Sequence, residues 1–98
     1  MKYPIFYRLI NAGVFVRVNA PNSRDVVETE AIGDYSVRHD TFHSERNINR
    51  CIDEYDEARS AGTIAPITEP EFLLVFRRAN LIRGNAFPVA NITVNAQA

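Results

Sequence analysis

Cysteine occurs once, at Cys51, so no internal disulfide can form and a cysteine-rich zinc site is excluded. Its expected role is a small buried side chain on a helix, because free cysteine ranks among the most buried residue types. A catalytic thiol would need a histidine beside it, and the spacing of His39 and His43 does not require that contact. Glycine is scarce as well: four isolated residues, at turns and helix ends, make no phosphate-cradling loop. Neither sign of charge dominates. Eleven basic against twelve acidic residues leave a net charge of -1, which disfavours a dedicated nucleic-acid binder. No apolar run approaches the ~18 residues that a membrane span needs. Met1-Lys2-Tyr3-Pro4 lacks the apolar core of a secretory signal, so a cytoplasmic protein is expected. Nucleophile elbow, zinc-protease helix and EF-hand loop are all missing, as are internal repeats and low-complexity segments. Nothing here names a reaction, and a domain without catalytic activity, cofactor or metal is expected.

What remains is ordinary globular material. With 98 residues, 46% of them apolar and 23% charged, residues 1–98 are expected to form one domain. A chain of this size can bury about two-thirds of its unfolded surface around a single core. Its cations are lopsided, with Lys2 the sole lysine beside ten arginines. Arginine's planar fork suits carboxylates and phosphates, although genomic codon bias produces the same excess.

The most informative stretch is Ile67-Thr68-Glu69-Pro70-Glu71-Phe72. Thr68 is placed as an N-cap, Pro70 in the first turn and Glu71 at the third helical position, which closes a capping box. Ile67 and Phe72 sit where a hydrophobic staple would clamp the entry. The spacing predicts a helix over 69–83, stopped by Gly84, with Phe72, Val75, Phe76, Ala79 and Ile82 as its buried stripe. The run Phe72 to Phe76 would also suit a buried strand, and the capping box decides for helix. Leu74 and Leu81 form a second stripe away from the first, so this helix is expected to be covered on two sides. Arg77, Arg78 and Arg83 lie in its C-terminal half, where cations suit the macrodipole.

An earlier helix is predicted over 45–61, with Ser44 as cap and Gly62 as stop. Ile48, Cys51, Ile52, Tyr55 and Ala58 recur on one face. The acidic run Asp53 to Glu57 reads as its solvated side, with Arg50 and Glu54 as a four-residue ion pair.

Residues 4–42 read as an antiparallel meander of about four strands, with turns at Asn11-Ala12-Gly13, Ala20 to Ser23 and Gly33-Asp34. A three-residue first turn, with Gly13 left-handed, would set Ile10 opposite Val14. Phe6, Arg8, Ile10, Val14, Val16 and Val18 would then share a face. The two-residue alternative sets Arg8 against Arg17, which is unfavourable. In either register both faces of the hairpin carry apolar side chains. Residues 44–84 supply the two helices, and 85–98 form an irregular tail or a short edge strand built on Phe87, Val89, Ile92 and Val94. The fold class expected is therefore α+β, with both helices packed on one face of the meander.

Candidate chemistry is thin. His39, Asp40, His43 and Glu45 gather two histidines and two carboxylates in seven residues, enough for metal ligation or acid–base work if they converged. The predicted strand-to-helix junction separates His39 from His43, and a polar corner with turn and cap residues is the simpler reading. Arg8, Arg17 and Arg38, interleaved with Tyr3, Phe6, Phe15 and Tyr35, would suit weak nucleic-acid binding. Leu74, Leu81, Arg77 and Arg78 mark a second binding candidate. Helices confined to one sheet face would leave the other open, and open apolar surface marks a protein contact. The leading expectation is thus a small interaction domain that forms a homodimer or docks a protein partner, with no membrane contact. An enzyme or ligand-binding domain using the His39 to Glu45 corner is the alternative.

Overall fold

A computed structural model describes residues 2–29, 35–82 and 92–95. Four strands form the expected meander: β1 (Ile5–Leu9), β2 (Val14–Ala20), β3 (Ser23–Thr29) and β4 (Tyr35–Thr41). Helix α1 (Arg50–Ala61), strand β5 (Ile64–Pro66), helix α2 (Glu69–Ile82) and strand β6 (Ile92–Asn95) follow. The sheet runs β5-β1-β2-β3-β4-β6, antiparallel from β5 to β4, with β6 parallel to β4. The protein is α+β, and its C-terminal strand is real. The expected turn at Gly33-Asp34, the stop at Gly84, and Arg83, Phe87 and Val89 lie outside the described residues.

The helices do not share a face. Tyr7, Val16, Val18 and Val26 pack with Phe42 and Cys51, and Tyr55 of α1 lies over Tyr7 with ring centroids 5.3 Å apart. Val27 and Val37, from the opposite side of the same strands, pack with Phe72 and Ala79 of α2. The result is a helix–sheet–helix sandwich. Its cause is β5, a strand the sequence reading missed. After α1 the chain pairs with the free edge of β1, setting Tyr7 opposite Pro66 and Leu9 opposite Ile64, and then crosses to the other face. Three residues are too few to show alternation, and Pro66 fits an edge position where its missing N–H costs no ladder bond. Both sheet faces are apolar because each has its own lid.

The first hairpin also differs from expectation. Phe6 lies opposite Arg17, Tyr7 opposite Val16 and Arg8 opposite Phe15. This slip of one residue puts Tyr7 and Leu9 on the face of Val14, Val16 and Val18, and Phe6 with Phe15 and Arg17. Asn11, with φ 67°, takes the left-handed position expected of Gly13. Gly13 serves close approach instead. Its carbonyl accepts bonds from the amide and hydroxyl of Thr29 (2.6 and 3.0 Å), and a Cβ there would collide with the Thr29 hydroxyl and carbonyl.

Helix α1 begins at Arg50, five residues later than expected, and residues 44–49 are turns. Ser44 is no cap: its buried hydroxyl has no partner among the described residues. The amides of Cys51 and Ile52 instead bond the carbonyl of Pro21 (2.9 and 3.2 Å), so the β2–β3 turn satisfies the helix start. Ile48, left outside the helix, is exposed. Gly62 closes α1 in the left-handed conformation, as expected.

The capping box of α2 forms as read. The Thr68 amide donates to Glu71 Oε1 (2.9 Å), and the Glu71 amide donates to Thr68 Oγ1 (3.3 Å). The Thr68 amide and the Thr68 hydroxyl, which also donates to Glu71 Oε1 (2.9 Å), together hold the Glu71 carboxyl below its ordinary pKa. Thr68→Ala removes the hydroxyl half of this exchange and is expected to cost about 1 kcal/mol. Urea unfolding with an unchanged midpoint and slope would show that the box carries no stability. The second stripe of α2 is not covered: Leu74 is 71% exposed and Leu81 is 72% exposed.

Candidate functional site

Strand alternation divides the His39 to Glu45 corner. His39 points to the α2 side of β4, Asp40 points to the α1 side, and His43 and Glu45 are exposed beyond the strand end. The four do not converge. Among the described residues, no group of three or more His, Cys, Asp and Glu side chains could hold a metal.

On the α2 side, Asp25 is the hub. Its Oδ2 accepts from Arg17 Nε (3.0 Å), Arg17 Nη2 (2.9 Å) and Asn19 Nδ2 (2.8 Å). Its Oδ1 lies 2.7 Å from His39 Nδ1. Burial pushes the Asp25 carboxyl up, but hydrogen bonds from Asn19, His39 and Arg17 outweigh it and hold the group below its ordinary value. An ionised Asp25 accepts from a protonated His39 Nδ1, and the other ring nitrogen, Nε2, lies 2.9 Å from the Thr41 hydroxyl. Ser23 Oγ is 3.5 Å from the same nitrogen. Carboxylate, imidazole and hydroxyl stand in the order of a hydrolytic triad. A cross-strand polar ladder accounts for every bond of Asp25.

On the α1 side, Asp40 is buried between two arginines. Its Oδ2 accepts from Arg24 Nε (2.9 Å) and Arg38 Nε (3.2 Å), and its Oδ1 accepts from Arg38 Nε (3.0 Å). Arg24 Nη1 reaches Glu54 Oε1 of α1 (2.6 Å), and Arg50 Nε holds Glu54 Oε2 (2.7 Å). Arg38 Nη1 donates to Glu28 Oε1 (2.5 Å). Burial opposes charge on Glu54, yet hydrogen bonds from Arg24 and Arg50 lower its pKa. For Arg24, burial is likewise outweighed, by bonds to Glu54 and Asp40 that raise its pKa. Burial pushes the Cys51 thiol up to about 11, so it stays protonated and is no nucleophile.

Beside these charges, α1 and the sheet enclose a half-open cavity of about 330 Å³. Leu9, Val14, Val16, Val26 and Ile64 give it an apolar side, and Arg24, Arg38, Glu28 and Glu54 give it a charged side. No local pattern in the sequence brings these residues together. The signal was present in β3, where Arg24, Val26 and Glu28 alternate on one face, but locating their helix partner required the fold.

The nucleic-acid candidates fare differently from one another. Arg8 is exposed, but Arg17 is bound to Asp25 and lies over the rings of Phe72 and Phe76 at 5.1 and 5.4 Å. Phe6, Phe15 and Tyr35 are packed beneath α2, and Tyr3 belongs to the α1 side. These aromatics are half-buried and pack against the two core clusters. The sheet face expected to be open for a homodimer is covered by the chain itself. Arg77 and Arg78, by contrast, are exposed between Leu74 and Leu81. Among the described residues, no helix is long and apolar enough to cross a membrane. Comparisons with protein-family models, curated proteins and solved structures find no match for this chain.

Proposed function

We propose that this chain is a cytoplasmic, non-enzymatic docking domain that uses the outer ridge of α2. The observation that carries the reading is the pair Leu74 and Leu81, 71% and 72% exposed on a helix whose other side is packed into the core. One exposed leucine is ordinary surface. Two leucines seven residues apart stand about 10.5 Å along one helix face, the spacing at which a helix presents anchors to a groove. Arg77 and Arg78 lie between them, at three and four residues from Leu74, and so share that side.

Charge selects the partner. A two-fold antiparallel pairing of α2 with itself would bring Leu74 to Leu81 but set the arginines of both copies together at the centre. Like charges there oppose a homodimer through this ridge. The fitting occupant is a different chain, with an apolar groove for the leucines and carboxylates for the arginines.

A photo-crosslinking amino acid at position 74 or 81 tests the reading in cells. Cross-linking to one acidic-surfaced protein is expected, lost on Arg77→Glu/Arg78→Glu and absent from exposed position 57 of α1. Equal capture from position 57, or no capture from 74 and 81, would overturn the proposal. Capture of a second copy alone would replace the heterologous partner with a homodimer.

A further inference from the structure

The cavity between α1 and the sheet lies on the opposite side of the sheet from the α2 ridge, and its chemistry is independent of it. We infer that this cavity binds a small monocarboxylate with a short apolar body. Three features carry the inference.

The first is shape and lining. A half-open volume of about 330 Å³ sits at the lower end of the range for small-molecule sites, and its lining combines apolar side chains with charged ones. Leu9, Val14, Val16 and Ile64 would take the body of the ligand, while Arg24 and Arg38 stand where a head group would lie.

The second is the inventory of unused hydrogen-bonding atoms. Arg24 and Arg38 each spend Nε and Nη1 on carboxylates, and the Nη2 of each donates to no acceptor among the described residues. Both Nε atoms reach the same oxygen, Asp40 Oδ2, so the two guanidiniums converge. The carboxylates have less to spare. Asp40 and Glu54 use both oxygens, and only Glu28 keeps one without a partner. Unused donors therefore outnumber unused acceptors, which suits an anionic head group.

The third is the charge balance. Arg24, Arg38 and Arg50 are matched by Asp40, Glu28 and Glu54. The network is neutral, so no surplus positive charge remains for a phosphate dianion. A monoanion that accepts hydrogen bonds from the spare Nη2 groups adds less uncompensated charge to this neutral network than a doubly charged group would. Preorganisation favours the same ligand: Asp40 holds both arginines before anything binds, so little side-chain freedom is lost.

The test is a titration of methyl-labelled protein with hexanoate, acetate and 1-hexanol, read by NMR. Saturable shifts of the Leu9, Val14, Val16 and Ile64 methyls are expected with hexanoate, with affinity at least about tenfold weaker for acetate and for 1-hexanol. Arg38→Gln is expected to weaken hexanoate by about tenfold and leave 1-hexanol unchanged. Ala58→Met, which fills the cavity from α1, is expected to abolish hexanoate binding while the Val27 and Val37 methyl signals on the α2 side stay in place. Leu74→Asp/Leu81→Asp should bind hexanoate as the parent does, which separates this site from the docking ridge. Equal affinity for hexanoate and 1-hexanol would remove the anion recognition. No saturable shift, or binding that survives Ala58→Met, would remove the site.

Discussion

Alanine in place of Phe72 is expected to lower the unfolding free energy by about 3–5 kcal/mol, the largest single effect of any α2 substitution. Phe72 is fully buried, stacks on Phe76 with centroids 5.7 Å apart and 24° between planes, and meets Phe6 at 5.7 Å. The guanidinium of Arg17 lies over its ring. Truncation therefore removes the contact that ties α2 to both β1 and β2 and leaves a cavity beneath the helix. Leu74→Ala, two positions along the same helix, is expected to change stability by less than about 0.5 kcal/mol because its side chain faces solvent. Urea denaturation of the two variants side by side gives the comparison. Equal losses would mean that α2 is not packed on the sheet through its Phe72 stripe.

Asp25→Ala should be nearly as damaging, and its signature is in the pH dependence. The carboxylate is 6% exposed and receives Arg17, Asn19 and His39 together. Deleting it strands Arg17 against the α2 rings, and loss of one member of a buried pair costs about 3 kcal/mol or more. Because the folded-state pKa of Asp25 is lowered, its contribution is fully present above the unfolded carboxyl value of about 4. It is lost as the pH falls through the lower folded value. The parent protein should therefore lose stability from about pH 4 downward, with a shallower loss in Asp25→Ala. Parallel acid profiles for the two proteins would show that Asp25 is not the charged hub of this network.

The sequence was most readable where local chemistry is decisive. Thr68 and Glu71 satisfy each other within four residues, so the start of α2 could be placed without knowing the fold. Gly62 marked the end of α1 for a similar reason. The misplaced features all depend on distant partners. The start of α1 is set by the carbonyl of Pro21, some thirty residues earlier in the chain. The hairpin register depends on Thr29 reaching back to Gly13. The opposite placement of the helices depends on β5, whose three residues carry no period. Apolar side chains on both hairpin faces are visible in the sequence, and the lid on the second face is α2 of the same chain. The charged cluster was legible only in part. Arg50 and Glu54 are a local helical pair, whereas Arg24, Arg38 and Asp40 meet them only when the meander and α1 are in place.

A sheet enclosed on both faces, with Leu74 and Leu81 left outside, is the basis for assigning association to the α2 ridge. Solvent paramagnetic relaxation of the methyl groups tests it most directly, using a soluble, neutral relaxation agent and dilute protein. Strong relaxation is expected at Leu74 and Leu81, with protection of Val27 and Val37 on the α2 side and of Val16 and Val18 on the α1 side. Relaxation of either valine pair to the level of Leu74 would contradict the enclosed sheet, and protection of Leu74 and Leu81 would contradict the free ridge.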